Sequence, residues 1–377
     1  MSDVIDTTSE EFVKDMFGDK EVRWYQRAAI NQTADALSRG IKRVLIVLDT
    51  GTGKTLTIAA GMSDSCVRHA LGVYCDRPLK VLFIAHKHRL LSQAEKTFIS
   101  ESNVDLTLHS VFSEIPSHVF EKGIDVCILD EAHHESISSF QYHLEKLGDF
   151  PIIGMTATES REDSHVIKFE EIIQPLSREQ AVAEGWLAPT YIHSIVDGSE
   201  KDKVPMLTDI LKNYGHQMGQ TMMFVNTKKQ VTEMEKVIFK LGYTVTGIID
   251  QTNKQLDLLL DNFSEGKVQF LITCNRISEG VDVRGCTDII LGRQVGSYPL
   301  YSQIIGRAAR PDSDCNVWEL INPLKNNNLD ATVVVGTPES HRLISKKKGI
   351  WVEQQFDYTS RVSNKTMGIA NGIRISH

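Results

Sequence analysis

Two short stretches of this chain place charged and hydroxyl side chains where phosphate chemistry would need them. The first is LDTGTGKT, Leu48–Thr55, which follows a short apolar run and precedes a helix-like one. Gly51 and Gly53 permit a tight turn. The backbone N–H groups of Thr50, Gly51, Thr52, Gly53, Lys54 and Thr55 can then surround phosphate oxygens, with Lys54 reaching the β- and γ-phosphates and the Thr55 hydroxyl ligating Mg²⁺. The eight-residue pattern of a phosphate-binding loop opens on glycine, whereas this one opens on Leu48. An ordinary glycine-rich turn is the alternative; the strand–loop–helix setting favours the phosphate reading. The second stretch is ILDEAHH, Ile128–His134, at the end of an apolar run. Asp130 at the end of such a strand would hold Mg²⁺ through water, and Glu131 would polarise an attacking water. Two adjacent carboxylates at the end of a buried strand are costly unless a cation neutralises them or the strand end is solvated.

The elements that must position these groups repeat along the chain. RVLIVLD (43–49), KVLFIAH (80–86), DVCILD (125–130) and PIIGMTA (151–157) are short, β-branched and apolar on both faces, as strands of a buried parallel sheet are. Helix-like stretches separate them, which predicts an α/β fold with crossover helices. The charged segment ESREDSHVIKFEE interrupts the pattern and reads as loop. In SREQAVAEGWLAP, Ser177 and Gln180 fit a capping box, Gly185 sits where a helix would stop, and Pro189 follows. A domain boundary is placed there, giving residues 1–189 and a second domain over 190–325. The second series is QTMMFV, YTVTGII, VQFLIT, TDIIL and NVWELI. Residues 326–377 break the pattern and form a basic extension with Lys346, Lys347 and Lys348 near Trp351, Phe356 and Tyr358. That run reads either as a strand-binding patch or as a solvated surface.

Composition bounds the rest. The 377 residues are 41% hydrophobic and 24% charged, enough for two cores. The net charge of −8 supplies no global basic field, so any polyanion must bind in a local cleft. The six cysteines form no C-x-x-C pair, which argues for reduced, packed thiols over a zinc site. The polar, acidic N-terminus is not a signal peptide, and no apolar run approaches the about 18 residues of a membrane span, which points to a cytoplasmic chain.

The order of GTGKT and then Asp130-Glu131-Ala132-His133, a DEAH box, resembles motifs I and II of superfamily 2 helicases. RWYQ (23–26) is similar to the upstream glutamine motif, in which Gln26 would read adenine. IAHKHRLLSQ (84–93) is similar to motif Ia on the nucleic-acid track. GMTATES (154–160) is similar to motif III, with Thr156 and Thr158 coupling ATP to the strand-binding side, though Glu159 stands where the family has proline. MMFVNTKKQ resembles motif IV, and ISEGVDVRG (277–285) resembles motif V, with Gly280 and Asp282 near the nucleotide. SQIIGRAARP (302–311) resembles motif VI, with Gln303, Arg307 and Arg310. His86, His88, His133 and His134 all fall inside these motifs, which leaves little for a metal site of their own. The resemblance covers roughly residues 23–323.

The resemblance implies two tandem RecA-like phosphate-loop domains, each with a mainly parallel sheet flanked by helices, facing each other across a site for ATP and Mg²⁺. Arg307 and Arg310, three residues apart, would share one helix face and fork onto phosphate oxygens from the second domain. The implied activity is ATP-dependent movement along, or remodelling of, nucleic acid. The forms of motifs Ia and VI look most like the DNA translocases of repair, branch migration and restriction, so DNA is favoured over RNA. An RNA helicase and an ATP-gated clamp that never unwinds remain the alternatives. With no large accessory domain in the sequence, targeting would fall to a protein partner or the short tail.

Overall fold

The computed structural model describes residues 15–74, 76–86, 88–98, 103–132, 138–157, 169–196, 202–274, 283–293, 295, 298–311, 313–321, 331–336, 338–347 and 349–356. A short hairpin, β1 (Met16–Phe17) and β2 (Lys20–Glu21), leads into α1 (Trp24–Ser38). The first sheet then uses β3 (Arg43–Val47), β4 (Leu79–Ala85), β5 (Val104–Ser110), β6 (Val126–Asp130), β7 (Ile152–Thr156) and β8 (Glu171–Ile173). Its order is β5-β4-β6-β7-β3-β8 and every pairing is parallel. Helices α2 (Lys54–Ser63), α3 (Ser65–Ala70), α4 (His88–Phe98), α5 (Ser117–Lys122) and α6 (Ser138–Leu147) connect the strands.

Alternation along each strand explains why both faces are apolar. Val44 and Ile46 of β3 enter one core with α1 and α2, while Leu45 and Val47 enter the other, with Ile115 and Leu147. Each such buried side chain contributes about 1.5–3 kcal/mol. Register matters more for function: Val47 pairs with Thr156, Asp130 with Met155 and Ile84 with Leu129. The carboxyl ends of four strands therefore finish together, which is where open parallel sheets bind ligands.

Helix α7 (Arg178–Ala183) leads into a second sheet. That sheet holds β9 (Thr190–Val196), β10 (Thr221–Phe224), β11 (Val245–Ile248), β12 (Phe270–Thr273), β13 (Asp288–Leu291), β14 (Cys315–Ile321), β15 (Ser340–Lys347) and β16 (Ile350–Phe356). Its order is β11-β12-β10-β13-β14-β9-β15-β16, parallel except for the final β15–β16 pair. Helices α8 (Val204–Tyr214), α9 (Lys228–Lys240), α10 (Asn253–Ser264), α11 (Tyr298–Ile305) and α12 (Ala331–Val335) accompany it. Met222 and Phe224 face a core with α10 and α11, and Met223 faces another with α8 and α9. Among the described residues no helix is long and apolar enough to cross a membrane. Of the cysteines described, Cys127, Cys274, Cys286 and Cys315 are buried, but Cys66 is exposed.

Three sequence expectations change. Ser177 does cap α7, accepting from Gln180 N–H at 3.1 Å, but the Gln180 amide reaches forward to Glu184 at 2.7 Å instead of closing a box. The charged segment read as loop ends in a strand, β8, paired with β3; its residues 159–168 lie outside the described residues. The tail expected to break the pattern instead adds β15 and β16 to the second sheet beside β9. Lys346 bonds to Asp209 at 2.6 Å and lies over the Trp351 ring, which ties it into the fold. Lys348, Tyr358, Arg361, Lys365 and Arg374 lie outside the described residues.

Ending the chain at Arg342 would remove β16 and most of β15, and with them the buried Ile344 and the Trp351 ring that packs on Tyr214. Such a truncation is expected to lower the thermal midpoint by about 5 °C or more relative to the full chain. Differential scanning calorimetry on both forms checks this, and equal midpoints would mean that the hairpin adds nothing to the fold.

Candidate nucleotide-binding site

The loop after β3 begins with Leu48, whose N–H donates to the Thr156 carbonyl at 3.0 Å and so ties the loop to β7. Gly51 and Gly53 have φ of 96° and 89°, the left-handed region that side chains with a Cβ rarely adopt. A Cβ on Gly53 would also lie 2.5 Å from Gln26 Nε2. Helix α2 starts at Lys54 with Gly53 as its N-cap and no capping side chain. Its first-turn N–H groups, with Thr55 in that turn, therefore suit an anion. Lys54 Nζ donates to the Leu48 carbonyl at 3.2 Å, so the loop curls around its own cation. The Thr52 hydroxyl donates to the Asp49 carbonyl at 2.7 Å and braces the turn from inside.

Gln26 is buried on α1 and lies against this loop. Its amide nitrogen donates to the Thr52 carbonyl at 3.0 Å, and its oxygen accepts from Arg23 N–H at 2.9 Å. Tyr25, not singled out from the sequence, donates its hydroxyl to the same Thr52 carbonyl at 2.9 Å. Burial raises the Tyr25 phenol above its ordinary range, with Arg23 pulling it back. Trp24 Nε1 donates to Glu184 at 2.7 Å, and the Arg23 guanidinium stacks over Trp186 at 4.7 Å. The glutamine motif thus joins the loop to the segment that leads into the second sheet.

Asp130 is the last residue of β6 and is buried. Burial, and then the Glu131 carboxylate, push its pKa above the carboxylate range; Lys54 and His86 pull it down. A carboxylate held in this way gains from a cation beside it, so the donor set of Asp130 and Thr55 fits a hard divalent ion. Glu131 N–H donates to Asp130 Oδ1 at 3.1 Å. Glu131 has φ of 53° and is the one non-glycine with positive φ among the described residues. That conformation swings its side chain out of the strand alternation at the carboxyl edge of the sheet.

The second sheet delivers motif VI to the same place. Helix α11 ends at Ile305, so Arg307 and Arg310 lie in the turn beyond it, not on a shared helix face. Arg307 N–H bonds to Ile304 and Ala308 N–H to Ile305, a tightening that winds the helix down. Pro311 disfavours helix at Arg310. Gly306 lets the chain come close there: a Cβ on it would lie 2.5 Å from Thr50 Cβ and 2.7 Å from Thr50 Cγ2. A Cβ on Gly51 would in turn lie 3.9 Å from the Ala309 carbonyl. The motif VI turn therefore rests directly on the phosphate loop of the other domain. Arg307 is buried there, and Gln303 is buried with neither end of its amide hydrogen-bonded among the described residues. A buried amide without partners is costly unless a ligand or water supplies them.

Arg178 was not anticipated from the sequence. It is the first residue of α7, and its guanidinium reaches Asp49 Oδ1 at 3.5 Å, beside the phosphate loop. The Ser177 cap predicts the helix but not where its first side chain turns. Thr156 is buried at the end of β7. Gly280 and Asp282 of motif V, Thr158 and Glu159 of motif III, and His133 and His134 lie outside the described residues, as do the side chains of His88 and Arg89.

Two parallel α/β domains thus meet at a phosphate loop on one and an arginine-bearing turn on the other. The Helicase conserved C-terminal domain model matches residues 202–312, and the Type III restriction enzyme, res subunit model matches residues 19–113. A Saccharomyces cerevisiae protein named as the ATP-dependent helicase IRC3 is 22% identical over 86% of this chain and 55% of its own length. The Escherichia coli type I restriction enzyme EcoAI endonuclease subunit is 24% identical over 78% of this chain and 44% of its own length. The chain thus spans about half the length of these curated relatives. Among solved structures, a fragment of an HsdR subunit of a type I restriction enzyme from Vibrio vulnificus superposes with a TM-score of 0.67 at 22% identity, over 88% of this chain and 70% of that one. The two family models and these relatives support a superfamily 2 helicase or translocase, including the restriction-motor branch.

Proposed function

We propose that this chain hydrolyses ATP with Mg²⁺ and uses the cycle to translocate on, or remodel, DNA. The observation that carries the reading is the seat of Gly306 on Thr50, which brings Gln303, Arg307 and Arg310 of one domain to the phosphate loop of the other. In this reading Thr50–Thr55 hold the phosphates, and Gln26, next to the loop, lies toward the base. Asp130 and Thr55 hold Mg²⁺, which supplies charge neutralisation at the phosphates. Glu131 orients and polarises the attacking water. Arg307 and Arg310 neutralise charge that builds on the transferring phosphoryl group, and Gln303 adds hydrogen bonds beside them. Because both domains touch the γ-phosphate, ATP favours the closed cleft, and hydrolysis removes the bridge. Alternating grip on the strand would convert each cycle into a step. Gly280 and Asp282 are assigned to the nucleotide by their motif alone.

DNA is preferred because restriction enzymes are among the proteins and family models that the chain matches. Single-stranded DNA is expected to stimulate ATP hydrolysis at least severalfold more than RNA of the same sequence. Binding should weaken steeply with salt as backbone contacts release counterions. Steady-state ATPase assays with single-stranded DNA, duplex, fork and RNA test this. Equal or greater stimulation by RNA would move the chain to an RNA helicase role. Stimulation with neither strand separation nor displacement of a bound obstacle would leave an ATP-gated clamp.

A further inference from the structure

Motif VI has to be held as well as delivered, and the second domain contains a buried polar hub that does this. Glu319 lies mid-strand on β14 and is buried. Its Oε2 accepts from the Tyr301 hydroxyl on α11 and from Ala331 N–H, at 2.9 Å, where α12 starts. Its Oε1 accepts from the Ser194 hydroxyl of β9 at 2.6 Å. Ser194 Oγ is also 2.8 Å from His341 Nε2 of β15. Since the only hydroxyl proton of Ser194 goes to the carboxylate, the His341 Nε2–H must be the donor in that second contact. One carboxylate thus joins α11, α12, β9 and, through a serine, the hairpin strand β15.

The placement is selective. Tyr301 stands five residues before Gly306 and six before Arg307, on the helix that ends where the motif VI turn begins. That turn is gripped at two points: on one side by the Glu319 carboxylate through Tyr301, and on the other by the Thr50 seat under Gly306. Apolar packing around Ile304 and Ile305 fixes how deep α11 lies, but a helix on an apolar bed can still rotate or slide. A hydrogen bond to a buried carboxylate fixes its rotation and axial position. For arginines that must meet transferring oxygens, misplacement by about 1 Å can cost as much as about a hundredfold in rate.

We propose that Glu319 is a positioning residue for the motif VI turn, acting through Tyr301, and that Ser194 and His341 make the β15–β16 hairpin part of the same support. The inference rests on the ATPase reading above. Neither Glu319 nor Tyr301 touches the nucleotide in it; they set where Arg307 and Arg310 stand.

The test uses the full chain. Tyr301→Phe removes one hydroxyl and keeps the ring in its buried bed. It is expected to lower kcat for nucleic-acid-stimulated ATP hydrolysis about tenfold while changing KM for ATP by less than about twofold, because the phosphate loop belongs to the other domain. Glu319→Gln keeps one acceptor oxygen and turns an NH2 group toward at least one of the three donors, so it is expected to lower the thermal midpoint. The decisive measurement removes both arginines. In an Arg307→Ala, Arg310→Ala background, Tyr301→Phe should lower kcat no further, since the groups that it positions have gone. A full additional tenfold loss there would mean that the hydroxyl serves general stability and would overturn the proposal, as would a parent-like kcat in Tyr301→Phe alone. If Arg310→Ala itself kept the parent rate, the ATPase reading would fail first. If Arg310→Ala loses rate and Tyr301→Phe does not, only the hub is wrong.

Discussion

Arg310→Ala is expected to leave nucleotide affinity within about tenfold of the parent while cutting turnover by roughly 10³ or more. The nucleotide is assigned to Thr50–Thr55 on the first domain, which the substitution leaves intact. Arg310 comes from the turn that rests on that loop through Gly306 and Thr50. Its charge matters most when the cleft is closed and negative charge is spreading over the transferring oxygens. Arg310→Lys should rescue poorly, because a point charge cannot fork across two oxygens. Single-turnover hydrolysis beside equilibrium binding of a fluorescent nucleotide separates the two effects. Full stimulated turnover in Arg310→Ala would mean that the active site is complete within one domain, and the cleft-closing motor would have to be abandoned.

Glu131→Gln should separate binding from chemistry in the other domain. The amide keeps the shape of the side chain and leaves Asp130 in place, but it cannot polarise water. ATP is therefore expected to bind normally while hydrolysis falls by about 10²–10⁴. Lys54→Ala should behave differently and lose binding as well, since its ammonium, which caps the Leu48 carbonyl at 3.2 Å, is the cation of the loop. A trapped, ATP-bound Gln variant would also hold nucleic acid longer than the parent. Parent-rate hydrolysis by Glu131→Gln would show that another group orients the water.

The sequence marked Leu48–Thr55, Asp130, Glu131 and the two arginines of motif VI as candidates because phosphate chemistry needs fixed residue types at fixed spacing, though it put the arginines on a helix face and not in a turn. It carried the strands whose faces are both apolar, such as β3 and β6. It did not reveal β9, β15 and β16, for physical reasons. Ser194 and His193 interrupt the apolar pattern of β9, and what makes them tolerable in a core, Glu319 and Asn316, lies more than a hundred residues away. Strand β16 ends the sheet and leaves Ile350 and Val352 exposed, so it lacks a buried strand's signature. The early end of α11 was invisible for a related reason. Spacing of three residues suggests one helix face, but the helix tightens and stops at Ile305, and the glycine after it packs against Thr50 in the other domain. Local pattern reveals what a segment prefers; the hub and the seat come from what it meets.

The left-handed backbone at Glu131 has a consequence for how this chain can change over time. Every residue with a Cβ is disfavoured at φ of 53°, and glycine is not. Folding alone would therefore reward a change from Glu131 to glycine, while turnover would reward only the carboxylate. Descendants that keep binding nucleotide but no longer need to hydrolyse it have an easy first step at this position, and it makes them sturdier. Loss of the motor would thus come with a gain in shelf life, so a copy freed from work would drift toward a durable, nucleotide-gripping relic before it unravelled.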